Sequence, residues 1–308
     1  MCHFEFIPTP IDRMEYYSTK FHCNMMVKRD DLFQVAGGGS KARMLQYILA
    51  GGKNYDVLVT AGNPNSNFNR ACALMCAKLK IPMHLIEYAE SETQFEKSLN
   101  YKICTLAGVK KNRCTKEEVY DTIKTILSEY EKNGLNVKYV YGGGKCLEGI
   151  YSYFDAIQEI YLQNIKVDYI FVACGTGTTL TGICAGVQKY YPNTKVYAIS
   201  VSRTWENEKK VLTENMVELN NFLNSSYTFD NLTFIDDYLC GGYASINTEL
   251  INRISECISN EGMLVDPIYS GKAFSGMCNI IEKKSDVFKN KNILFWNTGA
   301  MFNLVSLL

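Results

Sequence analysis

The sequence predicts an α/β protein built from two open, twisted and mostly parallel sheets with flanking helices. Short apolar segments alternate with amphipathic segments of about 12 or more residues, which is the order typical of parallel sheets. Glycine clusters lie between the two kinds of segment, where loops are expected. With 308 residues, 47% of them hydrophobic, the chain is long enough for two ordinary domains.

Six segments are predicted strands because they are rich in β-branched and other apolar residues and are bounded by Gly, Asn or Pro. They are 57–61, 83–88, 137–141, 169–173, 195–201 and 293–296. The predicted helices are 42–50, 66–79, 116–133, 147–164, 178–190, 206–224 and 245–261. We expect a ligand between the two sheets, near the carboxyl ends of their strands.

The total charge does not point to nucleic acid or to an anionic membrane as a partner, because 32 Lys and Arg balance 32 Asp and Glu. No apolar run approaches the roughly 20 residues that a membrane-spanning helix needs. The N-terminus lacks the basic start and apolar stretch of a secretory signal. A cytoplasmic location is therefore expected.

The cysteines and histidines do not predict a metal site or a thiol or serine nucleophile. No C-x-x-C pair occurs, and Cys72 and Cys76 have no histidine near them in the sequence. These cysteines are expected to pack in the core. The three histidines, His3, His22 and His84, lie in no recognisable nucleophile context, so Ser-His-Asp or Cys-His chemistry is not expected.

A run of three glycines precedes Lys41 in the segment 28–43, KRDDLFQVAGGGSKAR. Glycine permits positive φ and close backbone approach, so this loop can present Lys41 at a site at the start of a helix. On spacing alone, a surface loop with ordinary charges is the stronger interpretation.

A polar loop joins the first of the predicted strands to a helix that begins near Ser66, within the segment TAGNPNSNFNRACALMCAKL at 60–79. Ser or Asn at a helix start caps backbone N–H groups. The same N–H groups can bind an anion such as a substrate carboxylate. A plain helix cap is the stronger interpretation of this segment taken by itself.

The segment 172–186, VACGTGTTLTGICAG, runs from a buried strand through small residues into a helix. At such a turn, successive N–H groups can face a phosphate, and threonine hydroxyls add donors. The lysine of a Walker A loop is absent, and Leu180 stands where the dinucleotide fingerprint has its third glycine. A phosphate monoester therefore fits better than a nucleotide.

Two further segments, DPIYSGKAFSG at 266–276 and FWNTG at 295–299, place polar residues beside a helix start and at a strand end. Either segment can be an ordinary loop without a functional role. A shared function is favoured by the joint occurrence of all five segments, since ligand sites of α/β proteins form at such positions.

Together these segments resemble the D-cysteine desulfhydrase and 1-aminocyclopropane-1-carboxylate (ACC) deaminase family of fold-type II enzymes, which depend on pyridoxal 5'-phosphate (PLP). The most specific pieces are KRDDL at 28–32, GGSKAR at 38–43 and YSGK at 269–272. The resemblance implies an active site between two domains, a small amino acid as substrate and a homodimer. We predict a large PLP-binding domain of residues 1–45 and 156–308 and a smaller α/β domain of residues 46–155.

The resemblance also implies roles for individual residues. Lys41 matches the Schiff-base lysine, and the predicted catalytic residues are Lys41, Tyr269 and Ser66. Besides Lys41, the cofactor is predicted to contact Asn67, Gly175, Thr176, Gly177, Thr178, Thr179 and Thr298. The substrate is predicted to contact Ser66, Asn67, Phe68, Tyr243, Tyr269 and Ser270.

The chemistry that PLP requires agrees with this match. PLP needs a lysine amine, an anion site for its phosphate and a partner for its ring nitrogen. Enzymes that protonate this nitrogen place Asp or Glu there, whereas the candidates here are the hydroxyls of Thr298 and Ser270. A neutral ring is a weaker electron sink, which suits β-elimination better than transamination or racemisation.

Departures from the family pattern leave the substrate open. Ser40 stands where Asn is usual, Phe68 where Gln or His is frequent, and Asn297 where His is usual. The leading hypothesis is an α,β-eliminating lyase with D-cysteine as the family's default substrate. The alternatives are ACC deamination, which Ser270 disfavours because ACC deaminase has Glu there, β-replacement in a biosynthetic pathway, and a non-catalytic PLP-binding protein.

Overall fold

The protein is described by a computed structural model that covers residues 7–50, 55–242 and 244–305. In this part of the chain the strands are β1 (Ile11–Arg13), β2 (Asn24–Arg29), β3 (Val57–Gly62), β4 (Met83–Glu87), β5 (Lys110–Arg113), β6 (Val137–Tyr139), β7 (Tyr169–Cys174), β8 (Lys195–Ser200), β9 (Leu232–Ile235) and β10 (Asn292–Asn297). The α-helices are α1 (Glu15–Phe21), α2 (Ser40–Ile48), α3 (Asn67–Leu79), α4 (Glu92–Lys97), α5 (Leu99–Leu106), α6 (Val119–Lys132), α7 (Leu147–Leu162), α8 (Thr178–Tyr190), α9 (Trp205–Leu223), α10 (Thr248–Glu261), α11 (Ser270–Lys283), α12 (Ser285–Phe288) and α13 (Met301–Val305). Short 3₁₀ turns lie at Asp30–Leu32 and Gly142–Gly144.

The strands form two sheets. The larger has six strands in the order β1-β2-β10-β7-β8-β9, and within it β1 runs antiparallel to β2 while the other pairs are parallel. The smaller has four strands, all parallel, in the order β5-β4-β3-β6. This arrangement confirms the predicted α/β fold with two mostly parallel sheets.

The two sheets divide the chain much as the predicted domains do. All strands of the smaller sheet lie inside the segment 46–155, and those of the larger sheet lie outside it. Helix α7 spans the predicted boundary at residue 155 and packs along α8 of the larger sheet's layer. The exact domain boundaries therefore stay a prediction.

The larger sheet is covered on both faces because its central strand β7 is apolar throughout. Ile170, Val172 and Cys174 face one hydrophobic core, and Phe171 and Ala173 face a second. This alternation follows from the two-residue period of a strand, and burial of both faces is typical of parallel sheets. The first of these cores continues into α2, α3 and the smaller sheet, so it joins the two sheets.

The six predicted strands and seven predicted helices are confirmed, with ends that differ by about three residues at most. Four strands were not predicted: β1, β2, β5 and β9. β5 reads KKNR and lies largely exposed at a sheet edge, so its sequence has no apolar signal. Cys72 and Cys76 are buried in the core on α3, as predicted.

The charged segment KRDD is not a solvated surface run. Lys28 and Asp30 are fully buried, and Arg43 forms ion pairs of 2.7 Å with both Asp30 and Glu159. Lys28 forms an ion pair with Glu159, and the Trp296 indole donates to Asp30 at 2.9 Å. This cluster, which we call the buried ion network, connects β2, α2, α7 and β10 behind the helix that begins at Ser40.

Among the described residues, no helix has both the length and the apolar character that a membrane crossing requires.

Candidate active site

A cavity of about 450 Å³ lies between the two sheets. Its walls come from the carboxyl ends of β3, β6, β7, β8 and β10 and from the loops that follow them. Both its position and its volume are typical of small-molecule sites in α/β proteins. The predicted location of the ligand site thus coincides with this cavity.

Lys41 lies in the first turn of α2 and points into the cavity. Its Nζ donates to the Gly143 carbonyl oxygen at 2.8 Å and contacts Met44 Sδ at 3.7 Å. The preceding Gly39 has a φ of +89°, and a Cβ there would lie 2.9 Å from the Thr298 carbonyl oxygen. Only glycine fits such a position, so the glycine run is needed to bring Lys41 against the end of β10.

The electrostatic surroundings of Lys41 favour its neutral form. Burial lowers the pKa of Lys41 to about 8, because a charged ammonium loses its hydration there. The described residues that line the cavity include three basic ones, Lys41, Arg70 and Arg203, and no Asp or Glu. Burial likewise lowers the pKa of Arg70, to about 10. The cavity therefore suits a ligand that carries negative charge.

The glycine-rich loop after β7 forms one end of the cavity. Gly175, Thr176, Gly177 and Thr179 line it, at the N-terminus of α8. The first N–H groups of a helix lack partners within the helix, so this end can bind a phosphate. The Thr178 side chain is fully buried beneath the loop, and its hydroxyl lies 3.2 Å from the Thr176 hydroxyl.

Gly177 is the position in this loop where the backbone conformation and the close packing favour glycine. Its φ is +75°, and a Cβ would lie 2.7 Å from Glu208 Oε1 and 2.9 Å from Leu212 Cδ2. The carboxylate of Glu208 is paired with Arg203 at 2.9 Å, and Arg203 lines the cavity. The negative charge behind the loop is thereby neutralised.

The start of α3 forms another wall. Ser66 caps the helix, since its hydroxyl accepts from the Asn69 N–H at 3.2 Å, and both Ser66 and Asn67 line the cavity. The Asn67 carbonyl oxygen Oδ1 accepts a hydrogen bond from Asn100 Nδ2 at 3.2 Å. Ser66 thus serves both as helix cap and as part of the cavity wall, so the two interpretations of this segment do not exclude each other.

Phe68 follows this pair, but most of its side chain is directed into the core. It is 1% exposed, and its ring packs beneath the 3₁₀ turn, where a Cβ on Gly144 would lie 2.9 Å from Phe68 Cε2. The side chain belongs to the same hydrophobic core as Met44. Phe68 therefore supports the turn that carries Gly143, the acceptor for Lys41.

Tyr269 lines the cavity beside the glycine-rich loop, where a Cβ on Gly175 would lie 3.6 Å from Tyr269 Cε1. Asp266 fixes the backbone here, because its carboxylate accepts from the N–H groups of Ile268, Tyr269 and Ser270 at 2.8 to 3.0 Å. Burial raises the pKa of Asp266 to about 6 against the opposing effect of these hydrogen bonds. The same carboxylate thus sets the position of Tyr269.

Ser270 is not brought to the cavity wall, contrary to expectation. It is fully buried and is not among the lining residues. Its hydroxyl lies 2.8 Å from Asp266 Oδ1 and 3.2 Å from the Gly299 carbonyl oxygen. Of the two hydroxyls predicted for the ring nitrogen, only that of Thr298 belongs to a residue of the cavity wall.

Asn297 and Tyr243 complete the predicted positions. Asn297 is fully buried, where it donates to the Leu264 carbonyl oxygen at 3.1 Å and accepts from the Gly299 N–H at 3.1 Å. It therefore shapes the turn after β10. Tyr243 lies outside the described residues.

Several residues of the site were missed by reasoning from the sequence. They include Gly143, Arg70 and Arg203. The glycine run 142–144 follows strand β6 directly, so its position at a strand's carboxyl end was the signal that could have found Gly143. Arg203 follows the carboxyl end of β8 and carried the same signal, whereas Arg70 lies within α3 and shows none.

Three features of the cavity fit PLP: a lysine with a lowered pKa, a helix end that can bind an anion, and described lining residues without a carboxylate. PLP offers an aldehyde to an amine and a phosphate to N–H groups. Together with the two-sheet fold, these features define a PLP-dependent enzyme. Residues 4–299 match the family model described as pyridoxal-phosphate dependent enzyme, and the chain belongs to this family.

The relatives in this family share most of the chain's length. A Thermotoga maritima protein with the provisional name 1-aminocyclopropane-1-carboxylate deaminase is 31% identical, over 96% of this chain and 95% of its own. A D-cysteine desulfhydrase of Yersinia enterocolitica is 29% identical, over 95% and 91%. An Arabidopsis thaliana protein named as a bifunctional enzyme with both activities is 28% identical, over 97% and 77%.

Solved structures give the same result. The crystal structure of an ACC deaminase homologue superposes with a TM-score of 0.87 at 28% identity, covering 98% of this chain and 94% of that one. A threonine deaminase of Solanum lycopersicum shares the fold, with a TM-score of 0.70 at 17% identity over 98% of this chain and 86% of that one. These similarities confirm the fold-type II architecture.

Proposed function

We propose that the protein catalyses α,β-elimination on a small amino acid with a leaving group at Cβ. D-cysteine is the first substrate to test, with pyruvate, ammonia and sulfide as products. The proposal rests on Lys41, which shares the cavity with two other basic side chains, Arg70 and Arg203, and with no carboxylate among the described lining residues. The names of the desulfhydrase relatives support this choice of substrate.

Lys41 is proposed to hold the cofactor covalently and to move the proton. When bound, PLP supplies an electron sink for the negative charge left at Cα of the substrate. The Nζ of Lys41, once released by the substrate amine, takes the α-proton. Its lowered pKa leaves a useful fraction of neutral amine near pH 7, and the Gly143 carbonyl holds the nitrogen in place.

The other predicted residues bind and orient. The N-terminus of α8, with its loop residues Gly175, Thr176, Gly177, Thr178 and Thr179, is proposed to take the cofactor phosphate. Ser66 and Asn67 are proposed to bind the substrate carboxylate and the phenolic oxygen of the cofactor. Tyr269 is proposed to exchange a proton with the substrate and Thr298 to face the ring nitrogen, since both residues line the cavity.

The absence of an acid favours elimination over other reactions of amino acids. Among the described lining residues, none can protonate the ring nitrogen as Asp or Glu would, and Thr298 offers a hydroxyl. A neutral ring stabilises the charge at Cα less strongly. Departure of the Cβ substituent removes that charge promptly, whereas transamination and racemisation require it to persist.

Ring opening of ACC is a second candidate. It is supported by the name of the Thermotoga maritima relative and by the superposition with an ACC deaminase homologue. The product distinguishes the two reactions, because ring opening gives 2-oxobutanoate and elimination from cysteine gives pyruvate.

The test begins with the purified protein and PLP. We expect visible absorbance from bound PLP, and borohydride reduction should fix the cofactor on Lys41, as peptide mapping can show. A K41A variant should lose both signals. A variant of the exposed residue Lys195, K195A, is the matched control and should keep them.

A panel of D- and L-amino acids then tests the reaction. Release of pyruvate from D-cysteine supports the proposal, and 2-oxobutanoate from ACC supports the second candidate. Consumption of an added nucleophile would indicate β-replacement. Bound PLP without turnover across the panel would overturn the proposal in favour of a non-catalytic PLP-binding protein.

A cytoplasmic location and a homodimer accompany this proposal. The assembly can be measured by size-exclusion chromatography with light scattering.

A further inference from the structure

We infer that Asn100 is a positioning residue that fixes the side-chain amide of Asn67, so that the Asn67 NH₂ group faces the cavity as a hydrogen-bond donor. This inference rests on the proposed function, since it concerns the binding of PLP and its substrate. Asn100 lies outside the cavity wall, so it acts through Asn67 and not by contact with a ligand.

The position of Asn100 is set by three buried contacts. Asn100 lies in the first turn of α5 and is 1% exposed. Its Nδ2 lies 2.9 Å from the Asn65 carbonyl oxygen, 3.2 Å from Asn67 Oδ1 and 3.1 Å from Asn303 Oδ1. The Asn65 carbonyl oxygen belongs to the backbone and cannot turn, so a reversed Asn100 amide would leave oxygen against oxygen there, which is costly.

The fixed Asn100 determines which end of the Asn67 amide faces the cavity. Asn67 is 8% exposed and lines the cavity at the start of α3. Its Oδ1 is held as the acceptor for Asn100, so its Nδ2 is the end left for a ligand. An NH₂ group stabilises an anionic oxygen, whereas the reversed amide would present Oδ1 and repel it.

Asn303 extends this arrangement to α13, near the last of the described residues. It is 4% exposed and lies in α13, five residues after Thr298 of the cavity wall. Asn100 therefore joins the loop before α3, the start of α5 and the helix that follows β10. Such support of a binding residue by a second layer of hydrogen bonds fixes its geometry before the ligand arrives.

An Asn100→Asp substitution tests the inference because it keeps the shape and removes the donor. A carboxylate at this position can only accept, so the Asn67 amide should turn and present Oδ1 to the cavity. We expect the dissociation constant for PLP to rise roughly 10- to 100-fold, the range for losing a hydrogen bond to a charged group. Asn100→Ala should have a smaller effect, since it leaves Asn67 free to turn.

Two controls separate positioning from general damage. Asn69 lies on α3 with Asn67, is 2% exposed, and donates from its side-chain amide to the Asn63 carbonyl oxygen at 3.4 Å. N69D therefore makes the same chemical change as N100D without removing a hydrogen bond to Asn67. N69D should destabilise the apoprotein while keeping the PLP affinity. In an N67A background, N100D should no longer change the PLP affinity, because the amide through which it acts is gone.

The measurements are titration of the apoprotein with PLP by tryptophan fluorescence, the visible spectrum of the loaded protein, and urea unfolding of each apoprotein. The inference predicts that affinity falls in the order wild type, N100A, N100D. Wild-type affinity in folded N100D, or an equal loss in the N67A background, would overturn it while leaving the proposed function intact. Failure of the wild type to bind PLP would overturn both.

If N100D does not fold, N100A carries the test. A weaker affinity for PLP that disappears in the N67A background supports the inference, and an unchanged affinity rejects it.

Discussion

At the scale of single residues, the reactivity of Lys41 comes from burial and not from neighbouring charge. Desolvation lowers its pKa, and its hydrogen-bond acceptor is the neutral carbonyl of Gly143. A carboxylate in that place would have raised the pKa and kept the amine protonated. The enclosure in which Lys41 is proposed to hold a cofactor therefore also raises the neutral fraction of its amine.

The first prediction concerns the pH dependence of this residue. Since only the neutral amine attacks an aldehyde, the rate of PLP attachment to the apoprotein should rise about tenfold per pH unit below pH 8 and level off above it. Stopped-flow absorbance at a fixed PLP concentration measures this rate. A K41R variant should show no attachment, and a rate that still climbs toward pH 10.5 would contradict the prediction.

The three residues that depart from the family pattern are all buried, and two of them, Ser40 and Phe68, also line the cavity. Phe68 supports the turn that carries Gly143, and Asn297 shapes the turn after β10. Ser40 is 8% exposed at the start of α2, where its N–H donates to the Thr298 carbonyl oxygen at 2.8 Å. Residue type alone did not reveal this, because burial depends on the folded chain.

At the scale of elements, the start of α11 shows how one carboxylate orders a loop. The Asp266 carboxylate accepts hydrogen bonds from three backbone N–H groups. The Ser270 hydroxyl lies between this carboxylate and the Gly299 carbonyl oxygen just after β10. The loops that carry Tyr269 and Thr298 are thereby tied together. Ser270 contributes to the site by this connection, although it does not face the cavity.

The second prediction follows from this connection. Ser270→Ala removes a donor to Asp266, so the free energy of unfolding should fall by about 1–2 kcal/mol in urea titrations at pH 7.5. The pKa of Asp266 is about 6, and the hydroxyl stabilises its charged form, so the loss should shrink below pH 6. The visible PLP spectrum should not shift, because the Ser270 hydroxyl does not line the cavity.

A matched control for this prediction is Ser275→Ala, because Ser275 is a buried serine on α11, the helix that begins at Ser270. It should not reproduce the dependence on pH. A shifted PLP spectrum in S270A would show that the hydroxyl reaches the cofactor after all.

The elements that sequence reasoning found are those in which local pattern and final environment agree. α8 was predicted at its observed bounds because its small and apolar residues follow a glycine-rich loop and face the core. β2 was missed because it ends in Lys28 and Arg29, and two charged residues in a row are typical of a solvent-exposed segment. Burial of Lys28 depends on Glu159, a residue far away in the sequence, so no local pattern contains it.

At the scale of the whole molecule, the cavity exists because two sheets present their carboxyl ends to each other. Five loops contribute Lys41, Ser66, Gly175, Tyr269 and Thr298 to the cavity. The sequence predicted each of them as a polar or glycine-rich loop next to a strand or helix. The local patterns alone did not predict which of their side chains face inward, since that depends on how the sheets are oriented, and only the resemblance to a known family supplied these residues. Arg70 and Arg203 of the wall were missed for the same reason.

The buried ion network has a comparable long-range role. Tyr153 and Trp296 donate to Asp30 at 2.7 and 2.9 Å, and Arg43 pairs with Asp30 and Glu159. Burial alone would raise the pKa of Asp30, but the neighbouring Arg43 guanidinium outweighs it, and the pKa falls to about 2. The network therefore stabilises the fold at pH values above the ordinary range of an aspartate and loses this contribution as the pH falls toward 2.

The third prediction tests this network through Arg43→Met. Removing Arg43 leaves Lys28 to compensate two buried carboxylates, those of Asp30 and Glu159, so the free energy of unfolding should fall by about 3–5 kcal/mol in urea titrations at pH 7. The pKa of Asp30 should rise, which moves the acid-unfolding midpoint to higher pH. The control is Arg113→Met, which breaks an exposed pair with Glu92 and should cost about 1 kcal/mol or less. Equal losses in the two variants would mean that the network contributes no more than a surface ion pair, and that packing alone holds α2 and its Lys41 in place.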